Sequence, residues 1–206
     1  MAVWVGGAGG SAALLLAAML GRAPLAPVEV LGFATGAAAV WLTVRANNWL
    51  WPVSIANNVF FFLLFANARL YADAGLQVVY LVLEGLGWYW WLRGGDKRQG
   101  LPIRRAGWVT LGTAAGVTVS GTAAMSVFLG RVNDSAPLLD AFTTVLSLVA
   151  QFMLARKLLQ NWWVWIGADV VYVGLYAWKG LLLTAVLYAL FLAMCLVGLR
   201  EWSRDV

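Results

Sequence analysis

Polar side chains occur at helical spacing inside long apolar runs of this 206-residue chain. The most informative group is Trp162, Trp165 and Asp169. At about 100° per residue these three side chains fall on one face of a helix. An aromatic wall with a carboxylate one turn away suits a flat cationic ring, because the indole faces and the negative charge both attract it. This face is therefore a candidate binding site for such a ring.

Two more predicted helices carry comparable polar stripes, and the helix of Asp169 extends its own. The stripes comprise Asp73, Gln77, Tyr80, Glu84, Gly87 and Trp91; then Asp140, Thr144, Ser147 and Gln151; and finally Trp162, Trp165, Asp169, Tyr172 and Tyr176. Carboxylates and amides are costly in hydrocarbon, so these faces should turn toward a cavity or toward each other. Contact between helices is the preferred interpretation for small residues such as Ser147. For Asp169 and Gln77, near mid-helix, we prefer contact with a ligand or a transport pathway.

The composition places these helices in a membrane. Hydrophobic residues make up 63% of the chain and charged residues 11%, whereas a soluble domain carries about 25% charged residues. The chain has no histidine and one cysteine, Cys195, which excludes disulfide frameworks, Cys/His zinc sites and Ser-His-Asp triads. We predict no catalytic residue, metal or cofactor. The net charge of +5 is spread between apolar runs, so the predicted partner is a lipid bilayer and not a nucleic acid.

Seven runs are long enough to cross a bilayer, which takes about 20 apolar residues. They cover residues 28–44, 51–68, 71–92, 106–129, 138–155, 162–178 and 181–199. Residues 1–21 allow either an eighth, N-terminal helix or a segment that lies on the membrane surface. The predicted fold class is thus an all-α integral membrane protein.

The loop charges predict the orientation. Ten Lys and Arg residues fall on one side and four on the other, and the more basic side is expected to be cytoplasmic. The ten are Arg45, Arg93, Lys97, Arg98, Arg104, Arg105, Arg156, Lys157, Arg200 and Arg204, and the four are Arg22, Arg69, Arg131 and Lys179. The C-terminus is therefore predicted to be cytoplasmic.

The chain also reads as two similar halves. Trp51 is followed six residues later by Asn57, and Trp163 six residues later by Asp169. We predict two parallel three-helix units joined by a linker helix, an arrangement of 3+1+3 spans seen in transporters that bind substrate near the membrane midplane. The predicted segments are an N-terminal stretch 1–27, a first unit 28–92, a basic loop with the linker helix 93–137, a second unit 138–199 and a tail 200–206.

At these residues the sequence resembles the PnuC family of bacterial vitamin transporters, whose best-known members carry nicotinamide riboside. The matching motifs are Asn161-Trp162-Trp163-Val164-Trp165 continuing to Asp169, which is similar to the family pattern ENWxxWxxxN; Leu70-Tyr71-Ala72-Asp73 with Leu76-Gln77; Gly87-Trp88-Tyr89-Trp90-Trp91; Asn57; and Arg156-Lys157. The resemblance implies a SWEET-like 3+1+3 fold in the bacterial inner membrane and passive uptake of a nucleoside-like vitamin. It also implies that a cytoplasmic kinase traps the vitamin by phosphorylation. The implied substrate-binding residues are Trp162, Trp165, Asp169, Gln77, Asn57, Asn161 and Tyr188.

Two departures from the family pattern leave the ligand open. The chain has Asp169 where the family has Asn, and Gln160 where it has Glu. An ionised Asp169 would favour a pyridinium such as nicotinamide riboside. Related transporters in this family carry thiamine or riboflavin, so the resemblance leaves all three vitamins as candidate substrates. A polytopic membrane enzyme that uses intramembrane carboxylates is the alternative from another class. The sequence leaves the oligomeric state open between a monomer and a homo-oligomer.

Overall fold

The computed structural model describes residues 27–67, 69, 71–95, 99–131, 137–178 and 182–206. These residues form seven α-helices. They are α1 (Pro27–Val44), α2 (Leu50–Asn67), α3 (Tyr71–Arg93), α4 (Trp108–Arg131), α5 (Pro137–Ala155), α6 (Asn161–Trp178) and α7 (Leu182–Trp202). The described ranges hold no β-strand, and a single bridge pairs Arg104 with Leu158.

The predicted all-helical architecture is confirmed, and each predicted run coincides with one helix to within three residues. By length and apolar composition, α2, α4 and α5 each qualify individually as membrane spans. The polar stripe of α3, which includes Asp73, Gln77 and Glu84, lowers the hydropathy of that helix. The N-terminal segment, for which an eighth helix was one alternative, lies outside the described residues.

Six of the helices form a closed ring. In the order α1, α2, α3, α5, α6 and α7, each helix packs against the next, and α7 returns to α1. Helix α4 lies outside this ring and packs on α5. The ring therefore consists of one triplet, α1–α3, and a second triplet, α5–α7, which meet at the α3–α5 and α1–α7 contacts. The parallel 3+1+3 arrangement itself stays a prediction.

Each triplet places a buried tryptophan against a glycine of its last helix. A Cβ atom at Gly87 would lie 2.2 Å from the Trp51 ring, and one at Gly198 would lie 2.4 Å from the Trp162 ring. Only glycine leaves room for these rings, because carbon atoms normally stay about 3.5–4.0 Å apart. Both members of one contact are 111 positions from their counterparts in the other.

Two indole N–H groups cross between the triplets with the same spacing. Trp91 Nε1 donates to the carbonyl of Leu154 and Trp202 Nε1 to the carbonyl of Thr43, both at 3.2 Å. Trp51 packs edge-on against Trp91 with ring centroids 5.3 Å apart. Trp162 packs likewise against Trp202 at 5.4 Å. We call Trp51, Trp91, Trp162 and Trp202 the tryptophan cluster.

These contacts correct the alignment of the two halves that the sequence suggested. The counterpart of Trp51 is Trp162 and not Trp163, so Asp169 corresponds to Asn58 and not to Asn57. The difference has a physical cause: Trp163 is 60% exposed, whereas Trp162 is buried against its glycine. Because Trp162 and Trp163 are consecutive, the sequence allows either of them to be aligned with Trp51.

The tryptophan cluster lies at the end of the ring that carries loops 45–49, 99–107 and 156–160, which we call the basic end. There the Ala106 N–H donates to Gln160 Oε1 at 2.7 Å, which ties two of the loops together. Lys157 Nζ lies 4.3 Å from the centroid of the Trp91 ring. Burial lowers the pKa of Lys157, and the negative charge of Asp205 opposes that effect.

Candidate functional site

A cavity of about 330 Å³ lies inside the helix ring, and all six ring helices contribute to its wall. Its wall is rich in aromatic and polar side chains. The lining residues are Gly36, Ala39, Val40, Thr43, Ser54, Asn57, Asn58, Tyr80, Glu84, Ser147, Gln151, Leu154, Trp162, Trp165, Asp169, Tyr172, Tyr188 and Phe191. This volume is near the lower end of the range of about 300–1,000 Å³ for small-molecule sites.

Helix α6 supplies an aromatic wall with one carboxylate. Trp162, Trp165 and Asp169 all line the cavity, as their shared helical face requires. Asp169 is 4% exposed, and its Oδ2 accepts a hydrogen bond from the Cys195 thiol of α7 at 3.4 Å. The Tyr172 and Tyr188 rings also line the cavity, tilted by 31° to each other with centroids 4.6 Å apart. These groups can hold a flat, positively charged ring.

Helices α2 and α3 supply a second wall with the other carboxylate. Asn58 Nδ2 donates to Glu84 Oε1 at 2.7 Å, and Glu84 is 3% exposed. The neighbouring Asn57 uses its amide within the first triplet, donating to Thr35 Oγ1 at 2.6 Å and to the Gly32 carbonyl at 3.1 Å. Both donor hydrogens of the Asn57 amide are therefore occupied within the first triplet.

Each triplet pairs one carboxyl group with one hydrogen-bond donor. The two pairs occupy equivalent positions, but acid and donor have exchanged helices. Asn58 and Glu84 are 111 positions from Asp169 and Cys195. In the first triplet the middle helix donates and the last helix carries the acid. In the second triplet the middle helix carries the acid and the last helix donates. The cavity thus has one carboxyl group on each triplet.

The tryptophan cluster closes the cavity at the basic end. Trp162 belongs both to this cluster and to the cavity wall. Thr43 and Leu154, whose carbonyls accept the crossing indole bonds, also line the cavity. Contacts between the two triplets therefore hold together the part of the cavity wall that faces the basic end.

The structure brings five of the seven predicted site residues to this cavity: Trp162, Trp165, Asp169, Asn57 and Tyr188. Gln77 lies on α3 nearly one turn before Tyr80 and is outside the lining set. Asn161 is also outside it, because its Nδ2 donates to the Leu158 carbonyl at 2.6 Å at the start of α6. Asn161 is fully buried and closes the turn that leads into the helix. Ligand contact by all seven stays a prediction.

Several lining residues were absent from the predicted set although their helical stripes were recognised. Tyr80, Glu84, Ser147, Gln151 and Tyr172 all line the cavity, and the periodicity that put each of them on an inward face was the available signal. Asn58 and Ser54 were missed for a different reason. Only the 111-residue spacing identifies them as counterparts of Asp169 and Trp165, whereas the sequence paired Trp51 with Trp163 and Asn57 with Asp169, a spacing of 112.

Seven helices with a polar cavity inside the helix ring are typical of a multi-pass membrane transporter. A family model described as nicotinamide mononucleotide transporter matches residues 26–204. The chain therefore belongs to this family, which includes the PnuC transporters. The resemblance found in the sequence is thereby confirmed.

Similar proteins include transporters with different named substrates. The chain is 29% identical to the riboflavin/roseoflavin transporter RibM of Streptomyces davaonensis, with 84% of this chain and 83% of RibM covered. It is 25% identical to the nicotinamide riboside transporter PnuC of Escherichia coli, with 86% and 85% covered. The crystal structure of the vitamin B3 transporter PnuC has the same fold, with a TM-score of 0.75 and 21% identity over 100% of this chain and 91% of that one.

Proposed function

We propose that this protein is a carrier for facilitated uptake of a nucleoside-like vitamin, with nicotinamide riboside as its substrate. One observation carries the proposal: the cavity wall combines two buried carboxyl groups with two tryptophans, and no Lys or Arg is among its described residues. Such a wall favours a cation with an aromatic ring, because positive charge is attracted to carboxylates and indole faces alike. The pyridinium ring of nicotinamide riboside has both properties.

Riboflavin and thiamine are the second candidates. The similarity to RibM favours riboflavin, and thiamine shares the positive charge of nicotinamide riboside. The cavity volume of about 330 Å³ leaves less room for a three-ring flavin than for one ring with a sugar. A neutral flavin would also gain no charge–charge attraction from Asp169. These two features support nicotinamide riboside over riboflavin.

Transport by this site requires differential exposure and no covalent step. We propose that the two triplets rock against each other in a 3+1+3 arrangement, so that the cavity opens first to one side and then to the other. The basic end is then the cytoplasmic side of the bacterial cell membrane, and the tryptophan cluster must separate there for release. A cytoplasmic kinase that phosphorylates the vitamin would keep uptake running downhill.

Ligand binding to the purified protein tests the substrate. We expect nicotinamide riboside to raise the melting temperature, since a ligand that binds only the folded state stabilises it. We expect Asp169→Asn to weaken nicotinamide riboside binding about tenfold, because the amide keeps the size of the side chain but loses its charge, and about 1.4 kcal/mol of lost attraction to the pyridinium corresponds to a tenfold change in affinity. Isothermal titration calorimetry measures both affinities.

Asp73→Asn is the matched control, because Asp73 is an exposed carboxylate in the first turn of α3 that does not line the cavity. It should leave the affinity unchanged. Stabilisation by riboflavin with none by nicotinamide riboside would refute the proposed substrate. Equal affinity of wild type and Asp169→Asn for nicotinamide riboside would refute the role of charge.

A further inference from the structure

One carboxyl oxygen in the cavity lacks a hydrogen-bond partner. Glu84 is 3% exposed, and Asn58 occupies only its Oε1. Glu84 Oε2 is buried and has no partner within the described part of the chain. Buried acceptors are normally satisfied, since leaving one unpaired costs about 1–3 kcal/mol. Because Glu84 lines the cavity, a ligand there can supply the missing donor.

The two walls of the cavity differ in chemical character at equivalent positions. Where the second triplet places Trp165, the first places Ser54, 111 residues earlier. Where the second places Phe191, the first places Tyr80. The second triplet thus offers apolar ring faces at positions where the first offers hydroxyl groups.

The polar wall continues along α2 and α3. Ser54, Asn58 and Glu84 all line it, and the Asn58 amide holds the Glu84 carboxyl in place. A fixed carboxylate suits sugar hydroxyls, because O–H···O⁻ bonds are short and strong. Dinucleotide-binding proteins use an acidic residue on a ribose hydroxyl in the same way.

We propose that Glu84 is a specificity-determining residue that accepts hydrogen bonds from the hydroxyl groups of the ligand's sugar or polyol chain. The ligand then lies across the cavity, with its ring on the second triplet and its hydroxylated end on the first. This inference rests on the proposed function, because it assumes a vitamin that carries both parts. It assigns the carboxyl groups different roles: Asp169 recognises the charge of the ring and Glu84 recognises the hydroxyl groups.

Paired ligands with and without the hydroxylated part test this division. Nicotinamide riboside and 1-methylnicotinamide share the pyridinium ring, but the second has a methyl group in place of ribose. We expect Glu84→Gln to lower the affinity for nicotinamide riboside about tenfold and the affinity for 1-methylnicotinamide less than twofold. Asp169→Asn should lower both affinities to a similar degree. Titration calorimetry on the purified full-length protein gives the four ratios.

A second variant and a second ligand pair keep the test decisive. Glu84→Asp retains the acid but withdraws it by one methylene, so we expect an intermediate loss for nicotinamide riboside alone. The melting temperature of each ligand-free variant reports whether it folds. If the wild type binds riboflavin and not nicotinamide riboside, the proposed substrate fails. The role of Glu84 is then tested with riboflavin against lumiflavin, which has a methyl group in place of the ribityl chain.

The outcomes separate cleanly. A loss on Glu84→Gln that is confined to the hydroxylated member of the pair supports the assignment. Equal losses for both members would mean that Glu84 acts on the ring, and unchanged affinity for both would mean that it serves only the structure. Either of these results overturns the inference.

Discussion

The contacts between glycine and tryptophan allow a test that separates fold stability from ligand binding. In Gly198→Ala the new Cβ would lie 2.4 Å from two atoms of the Trp162 ring. The ring must therefore move by about 1 Å to restore normal carbon–carbon contact. Because two ring atoms would lie more than about 1 Å too close, the overpacking cost falls in the upper part of the usual range, about 2–3 kcal/mol, and the better helix propensity of alanine returns about 1 kcal/mol. We expect the melting temperature to fall by roughly 2–8 °C, at about 2–4 °C per kcal/mol for a chain of this size.

The equivalent substitution provides the comparison. In Gly87→Ala the new Cβ would lie 2.2 Å from the Trp51 ring, so a similar loss of stability is expected. Trp162 lines the cavity, whereas Trp51 does not. Gly198→Ala should therefore also weaken nicotinamide riboside binding, by about tenfold if the displaced ring loses roughly 1.4 kcal/mol of cation–π attraction. Gly87→Ala should leave that affinity within twofold of the wild type.

Thermal unfolding and calorimetry on the same preparations measure both effects. Gly85→Ala is the control, because a Cβ at Gly85 meets nothing within 4 Å in the described structure. It should not lower the melting temperature. Equal ligand affinities for Gly198→Ala and Gly87→Ala would show that Trp162 does not contribute to binding. An unchanged melting temperature in both would contradict the packing argument.

Two further predictions concern the basic end. Trp91→Phe removes the N–H that crosses to Leu154, so we expect about 1 kcal/mol of lost stability and faster ligand exchange from vesicles. Trp51→Phe is the control, because no described residue accepts its indole N–H. Equal exchange rates in the two variants would show that the Trp91 hydrogen bond does not hold the two triplets together at this end. Gln160→Met removes the acceptor for the Ala106 N–H and should speed tryptic cleavage in loop 99–107. Gln160→Glu keeps an acceptor and should not speed it. Equal cleavage rates in the two variants would show that this hydrogen bond does not hold the loop.

The helices of this protein could be predicted closely from its sequence. Hydrocarbon thickness fixes the length of a spanning helix and excludes charges from most of it. Runs such as residues 138–155 therefore end within a residue or two of the helix that forms, here Pro137–Ala155. Periodicity also identified much of the cavity wall, because a polar group such as Glu84 or Ser147 must face inward when lipid lies outside.

Periodicity gives a direction within one helix but no depth along the cavity. Gln77 and Tyr80 share the stripe of α3, yet only Tyr80 lines the cavity. Asn161 lies beside Trp162 in the sequence, but its Nδ2 donates to the Leu158 carbonyl and its side chain lies outside the cavity lining. Which polar group is left for a ligand depends on these partners, and partners are not visible in a hydropathy pattern.

The sequence by itself determined that this chain is a helical membrane protein in which Trp162, Trp165 and Asp169 share one helical face. Only the tertiary structure decided that Asn58 is the counterpart of Asp169 and that Glu84 supplies the second acid. The physical reason is steric. The correspondence between the two triplets follows from indole rings that fit only over Gly87 and Gly198, and such a fit between two helices exists only once they have packed.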